Sequence, residues 1–176
     1  MAKQARPQLG FTEAIKLANS RLLDFSGRSR RSEFWWWMLL VLLASEIIPL
    51  LIFNQIANVI ACIIIMLFGL SITVRRLHDT NHSAVWVYVS FAIGIFSHLY
   101  TVTSSYYERI MDIMLNEGFD PNKVLKAVDN NLSELGVIMT SNILWSIASI
   151  IVIVYCLRDS DQGENDYGES PKYFDV

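Results

Sequence analysis

Cysteine is scarce in this 176-residue sequence: there are two, Cys62 and Cys156, and both fall inside apolar stretches. Isolated thiols in such places are small packing residues. Two of them supply neither a disulfide network nor a cysteine-based metal framework. Charge is scarce as well, at 18%, where soluble domains typically carry about 25%. Hydrophobic residues reach 53% and mean hydropathy is +0.36, which excludes an ordinary soluble globule and a disordered chain. No phosphate-cradling glycine loop, nucleophile elbow or HExxH helix occurs. The sequence points to no reaction, no catalytic residue and no cofactor, and a non-enzymatic protein is expected.

What is present is apolar sequence gathered into blocks. A bilayer crossing needs about 20 apolar residues. Four blocks meet this length: 34–53, 56–74, 84–102 and 137–157. The third is the most polar, through Ser90, Ser97 and His98, and reads either as a span or as a buried or re-entrant helix. The expected fold class is all-α, a polytopic membrane protein with four transmembrane helices. The first block follows 33 residues of basic character and has no small-residue cleavage site behind it. It is therefore expected to be a span rather than a cleaved signal.

The flanking segments differ in sign. Residues 1–33 hold seven basic and three acidic residues, and the turn 75–83 holds Arg75 and Arg76. Residues 103–136 hold three basic and six acidic ones. Lys and Arg favour the cytoplasmic side. Residues 1–33 and 75–83 are thus expected inside, and 54–55 and 103–136 outside. A fourth span returns the tail, 158–176, to the cytoplasm. Trp35, Trp36 and Trp37 follow the basic cluster directly, as interfacial indoles do, and Trp86 with Tyr88 marks the start of the third block.

Outside the blocks, Phe11, Ile15, Ala18 and Leu22 recur at helical spacing, which predicts a helix over 11–25 begun by Thr12. Its basic flanks fit a helix in the interface plane; packing on the end of the bundle fits equally. In 103–136, Tyr107, Ile110, Met111 and Met114 form one stripe, closed by Gly118. Asp120-Pro121 opens a second helix, with Val124, Leu125, Val128, Leu132 and Leu135 as its stripe and Gly136 as its end. This predicts an extracytoplasmic helical hairpin, with extension of the third and fourth spans as the alternative. The tail has Gly163, Gly168 and Pro171 and is expected to be loop or flexible extension.

Three motifs carry a resemblance. They are GRSRRSEFWWW at 27–37, RRLHDTNHSAVW at 75–86 and GENDYGESP at 163–171. Together, in this order, they resemble the domain of unknown function 805 family, the YhaH-like bacterial inner-membrane proteins. The resemblance implies a small multi-pass protein of the bacterial inner (cytoplasmic) membrane and brings no established chemistry. The 34 residues between the third and fourth spans depart from the short turn common in that family.

Two places stand out as candidate sites. Arg28, Arg30, Arg31 and Glu33 precede the first span, and Arg75, Arg76, His78 and Asp79 follow the second. If they meet, they form a basic patch suited to anionic lipid headgroups. The competing readings are topology signals, complements to helix C-terminal dipoles, or Arg–Glu33 and Arg–Asp79 pairs that lock the spans. His78 and His82 are four apart, but no third ligand is in register and no metal is expected. The second place is Glu46, an ionisable group inside the first block, with Pro49 one turn on. Burial there costs roughly 2.5–3.5 kcal/mol, so such a group normally faces the bundle interior or water, an exposed end of a shortened span being the alternative. Asn58, His98, Ser141 and Asn142 are its candidate partners, and Ser45 is expected to help the carbonyl that Pro49 frees.

The role expected is a scaffold or accessory subunit that binds lipid headgroups, a membrane protein partner or a second copy of itself, and not nucleic acid. The alternative is a small oligomeric transporter or channel subunit with Glu46 as the coupling residue.

Overall fold

The computed structural model describes residues 3–52 and 54–176. Phe53, the expected last residue of the first span, lies outside the described residues. The elements run β1 (Lys3–Ala5), α1 (Phe11–Ser20), α2 (Arg31–Leu51), α3 (Gln55–Asp79), α4 (Val85–Thr103), α5 (Ser105–Asp112), a π-helical turn (Ile113–Glu117), α6 (Pro121–Asn130), α7 (Leu132–Leu157) and β2 (Tyr173–Asp175). Four helices are long and apolar enough to cross a membrane: Arg31–Leu51, Ile56–Asp79, Val85–Thr103 and Leu132–Leu157. They coincide with the four apolar blocks to within a few residues at most ends, and the third block is one of them.

The ends of these helices differ from the expected ones. The second block was expected to stop at Val74, but α3 runs on through Asp79. It can do so because the polar side chains of its last turn find partners. At the fourth block, α7 begins at Leu132, so Gly136 lies inside a helix instead of ending one. At about 1.5 Å per residue, 26 residues make about 39 Å, longer than the roughly 30 Å hydrocarbon core.

The chain divides into two compact units. The first comprises the residues up to Ser90 together with Ala148–Val176. In it α2 packs along α3, where Trp37 Nε1 donates to the Phe68 carbonyl at 2.8 Å. Gly69 sits at that contact, and a Cβ there would lie 3.5 Å from Met38 Sδ. Helix α1 packs on α2 through the buried Ala14 and Ala18, with Phe11 edge-on to Trp36 at 5.4 Å. It stops at Ser20, not at Phe25, because Arg21 turns the chain. The Arg21 guanidinium bonds Asp24 Oδ2 at 3.0 Å and the carbonyls of Ser26 and Arg28 at 3.1 and 3.3 Å. Its start also differs: Gly10 is the N-cap, and Glu13 Oε2 accepts the Gly10 N–H at 3.3 Å.

The tail is mostly loop, one of the two forms expected for it, but it is tied to the rest of its unit. Its last residues form β2, paired antiparallel with β1. Arg6 N extends the ribbon by donating to the Lys172 carbonyl at 2.8 Å. Backbone pairing between chain ends leaves no periodic signal over three residues. Serines join α4 to α7 here, Ser90 Oγ meeting Ser149 Oγ at 3.0 Å.

The second unit is Phe91–Ile147. Ser104 caps α5 by accepting from Tyr107 N at 3.2 Å, and Glu134 receives Ser105 Oγ and Tyr106 N at 2.6 and 3.0 Å. Gly118, with φ +76°, ends the π-helical turn, and Asp120 caps α6 with Pro121 in its first turn. Helix α5 packs against α6. The interior positions are Ile113 and Ala127, while Met114 and Leu125 are exposed. The wider π turn shifts register by a residue, which the regular stripe could not anticipate. Leu132 and Leu135 belong to α7, not to the second insert helix. Ser97 and Ser141 are hydrogen-bonded at 3.1 Å.

Candidate functional site

The polar end of the first unit is built where α3 stops. Its last turn presents RRLHD, and the chain then reverses through Thr80 and Asn81. Asn81 adopts φ +56°, a left-handed conformation that asparagine tolerates. The Thr80 and His82 amides both return to the Leu77 carbonyl at 3.0 Å. The carbonyls left open at such a helix end need donors.

Arg28 supplies several of them. Its Nε donates to Asp79 Oδ1 at 3.0 Å, and its Nη2 donates to the Asp79 and Asp161 carbonyls at 3.3 and 2.7 Å. Its Nη1 donates to the carbonyls of Gly163 and Gly168 at 2.7 and 3.0 Å. Guanidinium has five N–H donors, and each has an acceptor. Gly168 has φ +113°, which allows its carbonyl to turn toward Arg28. Asn165 Nδ2 donates to the His78 carbonyl at 2.9 Å. The Tyr167 ring stacks on His78 at 3.8 Å and 5°. The tail motif therefore closes over the end of α3.

Arg75 and Arg76 act in the same way on other helix ends. Arg75 Nη1 donates to the carbonyls of Arg21 and Asp24, where α1 gives way to its turn, and its Nη2 meets Glu33 Oε1 at 3.4 Å. Arg76 Nε donates to the Cys156 carbonyl at 3.1 Å, and its Nη2 to that of Arg158, at the end of α7. Its Nη1 pairs with Asp79 Oδ2, which also accepts from Ser160 Oγ. Arg28, Glu33, Arg75, Arg76 and Asp79 are all buried, with Arg75, Arg76 and Asp79 fully so. Three cations thus enclose two carboxylates; the remaining donors face carbonyls at the ends of α1, α3 and α7, where positive charge is favoured, the Ser29 hydroxyl, and the tail carbonyls of Asp161, Gly163 and Gly168.

The structure brings Arg28, Glu33, Arg75, Arg76 and Asp79 into one sealed cluster, with His78 at its rim. These three arginines are therefore not part of an exposed basic patch. Arg30 lies apart from it: its Nη2 donates to the Pro7 carbonyl and its Nε to Ser32 Oγ at 3.3 Å. Arg31 is exposed and faces Asp159 at 3.5 Å. Outside the spans, Asp24 is held at about 2 by donation from the Ser26 hydroxyl and amide. The two histidines have separate surroundings. His78 Nδ1 lies 3.2 Å from the Gly27 carbonyl, whereas His82 Nε2 lies 3.0 Å from Arg158 Nη1.

Of the surroundings expected for Glu46, the interior one is not found. The residue is exposed on α2 instead of facing the bundle interior. Within the first unit, Asn58 uses its amide on the carbonyls of Pro49 and Ile52 at 2.9 and 3.2 Å, because the end of α2 leaves these acceptors open. Ser45 Oγ donates to the Leu42 carbonyl at 2.7 Å. In the second unit Ser141 bonds Ser97, Asn142 donates to Ile138 O at 2.8 Å, and His98 Nε2 is buried without a partner among the described residues.

Sequence reasoning missed Ser29 and Ser160, which bond the arginines, and the carbonyl acceptors. Single serines and backbone oxygens leave no pattern to read.

Residues 22–169 match the family described as Protein of unknown function (DUF805). No curated protein matches the chain, and no solved structure does.

Proposed function

Because the chain belongs to the family Protein of unknown function (DUF805), we propose that it is a non-enzymatic multi-pass membrane protein: a scaffold or accessory subunit that binds lipid headgroups or partner proteins. The observation that carries this reading is the sealed cluster. Arg28, Arg75, Arg76, Glu33 and Asp79 hold helix ends and each other, and their burial withholds them from a substrate. They tie the ends of α1, α3 and α7 to the start of α2. The proposed address is the bacterial inner membrane with both termini in the cytoplasm, supported by the surplus of Lys and Arg in 1–33. The insert 103–136 then faces outward as a helical hairpin, and its exposed Met114, Leu115, Phe119 and Leu125 suit a protein contact.

A photo-crosslinking residue at Phe119, irradiated in native membranes, is expected to give one discrete adduct, with another membrane protein or a second copy. A folded, inserted chain that gives no adduct from Phe119 or from Leu125 overturns the partner reading.

The exposure of Glu46 on α2 favours a second reading, a small oligomeric transporter or channel subunit in which another copy covers this carboxyl. Glu46→Gln would then abolish proton- or cation-dependent flux in vesicles; unchanged flux removes that reading.

A further inference from the structure

Beside the sealed cluster, and separate from it, lies an open groove of about 360 Å³ at the start of α2. Its wall carries Arg6, Arg30, Arg31 and Lys172, with Trp35 and Trp36 at one side. The ribbon and the start of α2 bring these cations together from three distant parts of the chain. One carboxylate balances two of them: Asp159 accepts from Lys172 Nζ at 2.6 and 2.7 Å and faces Arg31 at 3.5 Å. Among the described residues, Arg6 and Arg30 have no carboxylate within ion-pair distance. Burial, and then the like charge of Arg6, push the Arg30 guanidinium below its ordinary value, against the opposing pull of Glu33 and Glu13. Glu13 itself is exposed and engaged with the Gly10 amide.

The same two tryptophans also line a second groove, of about 280 Å³, which continues along α2 between Trp35, Trp36, Leu39 and Leu42. All four side chains are exposed, Trp35 and Trp36 by 39% and 38%. A cationic basin and an apolar groove thus share Trp35 and Trp36 on a helix able to cross a membrane. Indoles favour the headgroup level, guanidinium forks fit phosphate oxygens, and the leucines lie where acyl chains run. An inorganic anion would use the basin and leave the apolar groove unexplained.

We propose that this chain holds one anionic glycerophospholipid, with its phosphate among Arg6, Arg30, Arg31 and Lys172 and one acyl chain along Trp35, Trp36, Leu39 and Leu42. The inference rests on the headgroup-binding reading above and gives it a site and a ligand class.

The full chain, purified in neutral detergent and equilibrated with equimolar phosphatidylglycerol and phosphatidylcholine, is analysed by native mass spectrometry. One phosphatidylglycerol per chain is expected, favoured about tenfold over phosphatidylcholine. Arg6→Gln with Lys172→Gln changes side chains outside the sealed cluster and lowers retention by about tenfold. Trp35→Ala with Trp36→Ala also lowers it. Equal retention of the two lipids, or unchanged retention in the Arg6/Lys172 variant, overturns the proposal. Complete displacement by millimolar inorganic phosphate assigns the basin to a free anion and overturns it as well. If this site alone is wrong, the Phe119 adduct persists; if the scaffold reading is wrong, that adduct is missing too.

Discussion

Arg28 grips Asp79 through both side chain and backbone, donating from Nε to Oδ1 at 3.0 Å and from Nη2 to the carbonyl at 3.3 Å. The two side chains are 1% and 0% exposed. The pair fixes the last residue of α3 to the segment before α2, and the other guanidinium nitrogen fixes the tail to both.

Removing one partner should therefore leave a buried charge. Asp79→Asn and Arg28→Gln should each destabilise the folded chain by about 3–5 kcal/mol. Arg28→Lys should fare little better than Gln, since a point charge cannot serve carbonyls on several sides. Thermal unfolding in detergent measures this; an unchanged Tm in Asp79→Asn contradicts the structural role.

The tail closure depends on Gly168, at φ +113°. Gly168→Ala should cost about 1–3 kcal/mol of local stability. Tyr167→Ala removes the stack on His78. Both should speed amide exchange at residues 163–168 and expose the tail to protease. Exchange identical to wild type contradicts the closure.

At Gly69 the spacing discriminates between substitutions. A Cβ there meets Met38 Sδ at 3.5 Å and Val41 Cγ1 at 3.7 Å, which is ordinary contact. Gly69→Ala should be tolerated, while Gly69→Leu should overpack the α2–α3 contact by about 1–3 kcal/mol. Equal unfolding temperatures for the two variants contradict the packing.

In the insert, donation from Lys123 and Arg109 holds the Glu117 carboxyl at about 2, down from 4.5. Its contribution is complete above 4.5 and is lost as pH falls through about 2. Amide exchange around 109–123 should therefore rise as pH drops from 4.5 toward 2, after correction for intrinsic rates. Glu117→Gln should remove that dependence. Persistence of the dependence in the variant assigns it to another group.

The proposed orientation has its own check. A topology reporter fused after Glu117 should read outside, and one at Val176 should read inside. The reverse pattern overturns the assignment from Lys and Arg.

The sequence by itself determined the four long helices, because twenty or so apolar residues in a row have few other places to go. It also marked Asp120-Pro121 as a helix start and Gly118 as an end, since cap chemistry is local. It could not decide what the arginines do. Arg28, Arg30, Arg31, Arg75 and Arg76 look alike in a one-dimensional charge pattern. Folding separates them: Arg28, Arg75 and Arg76 meet backbone carbonyls and two carboxylates and are sealed, while Arg30, itself largely buried, and the exposed Arg31 line a groove with Arg6 and Lys172. Nor could the sequence orient Glu46, because α2 is apolar on nearly every side and offers no periodicity to say which face turns inward. Those decisions rest on hydrogen bonds to backbone atoms and on contacts between distant chain ends, which only the tertiary structure creates.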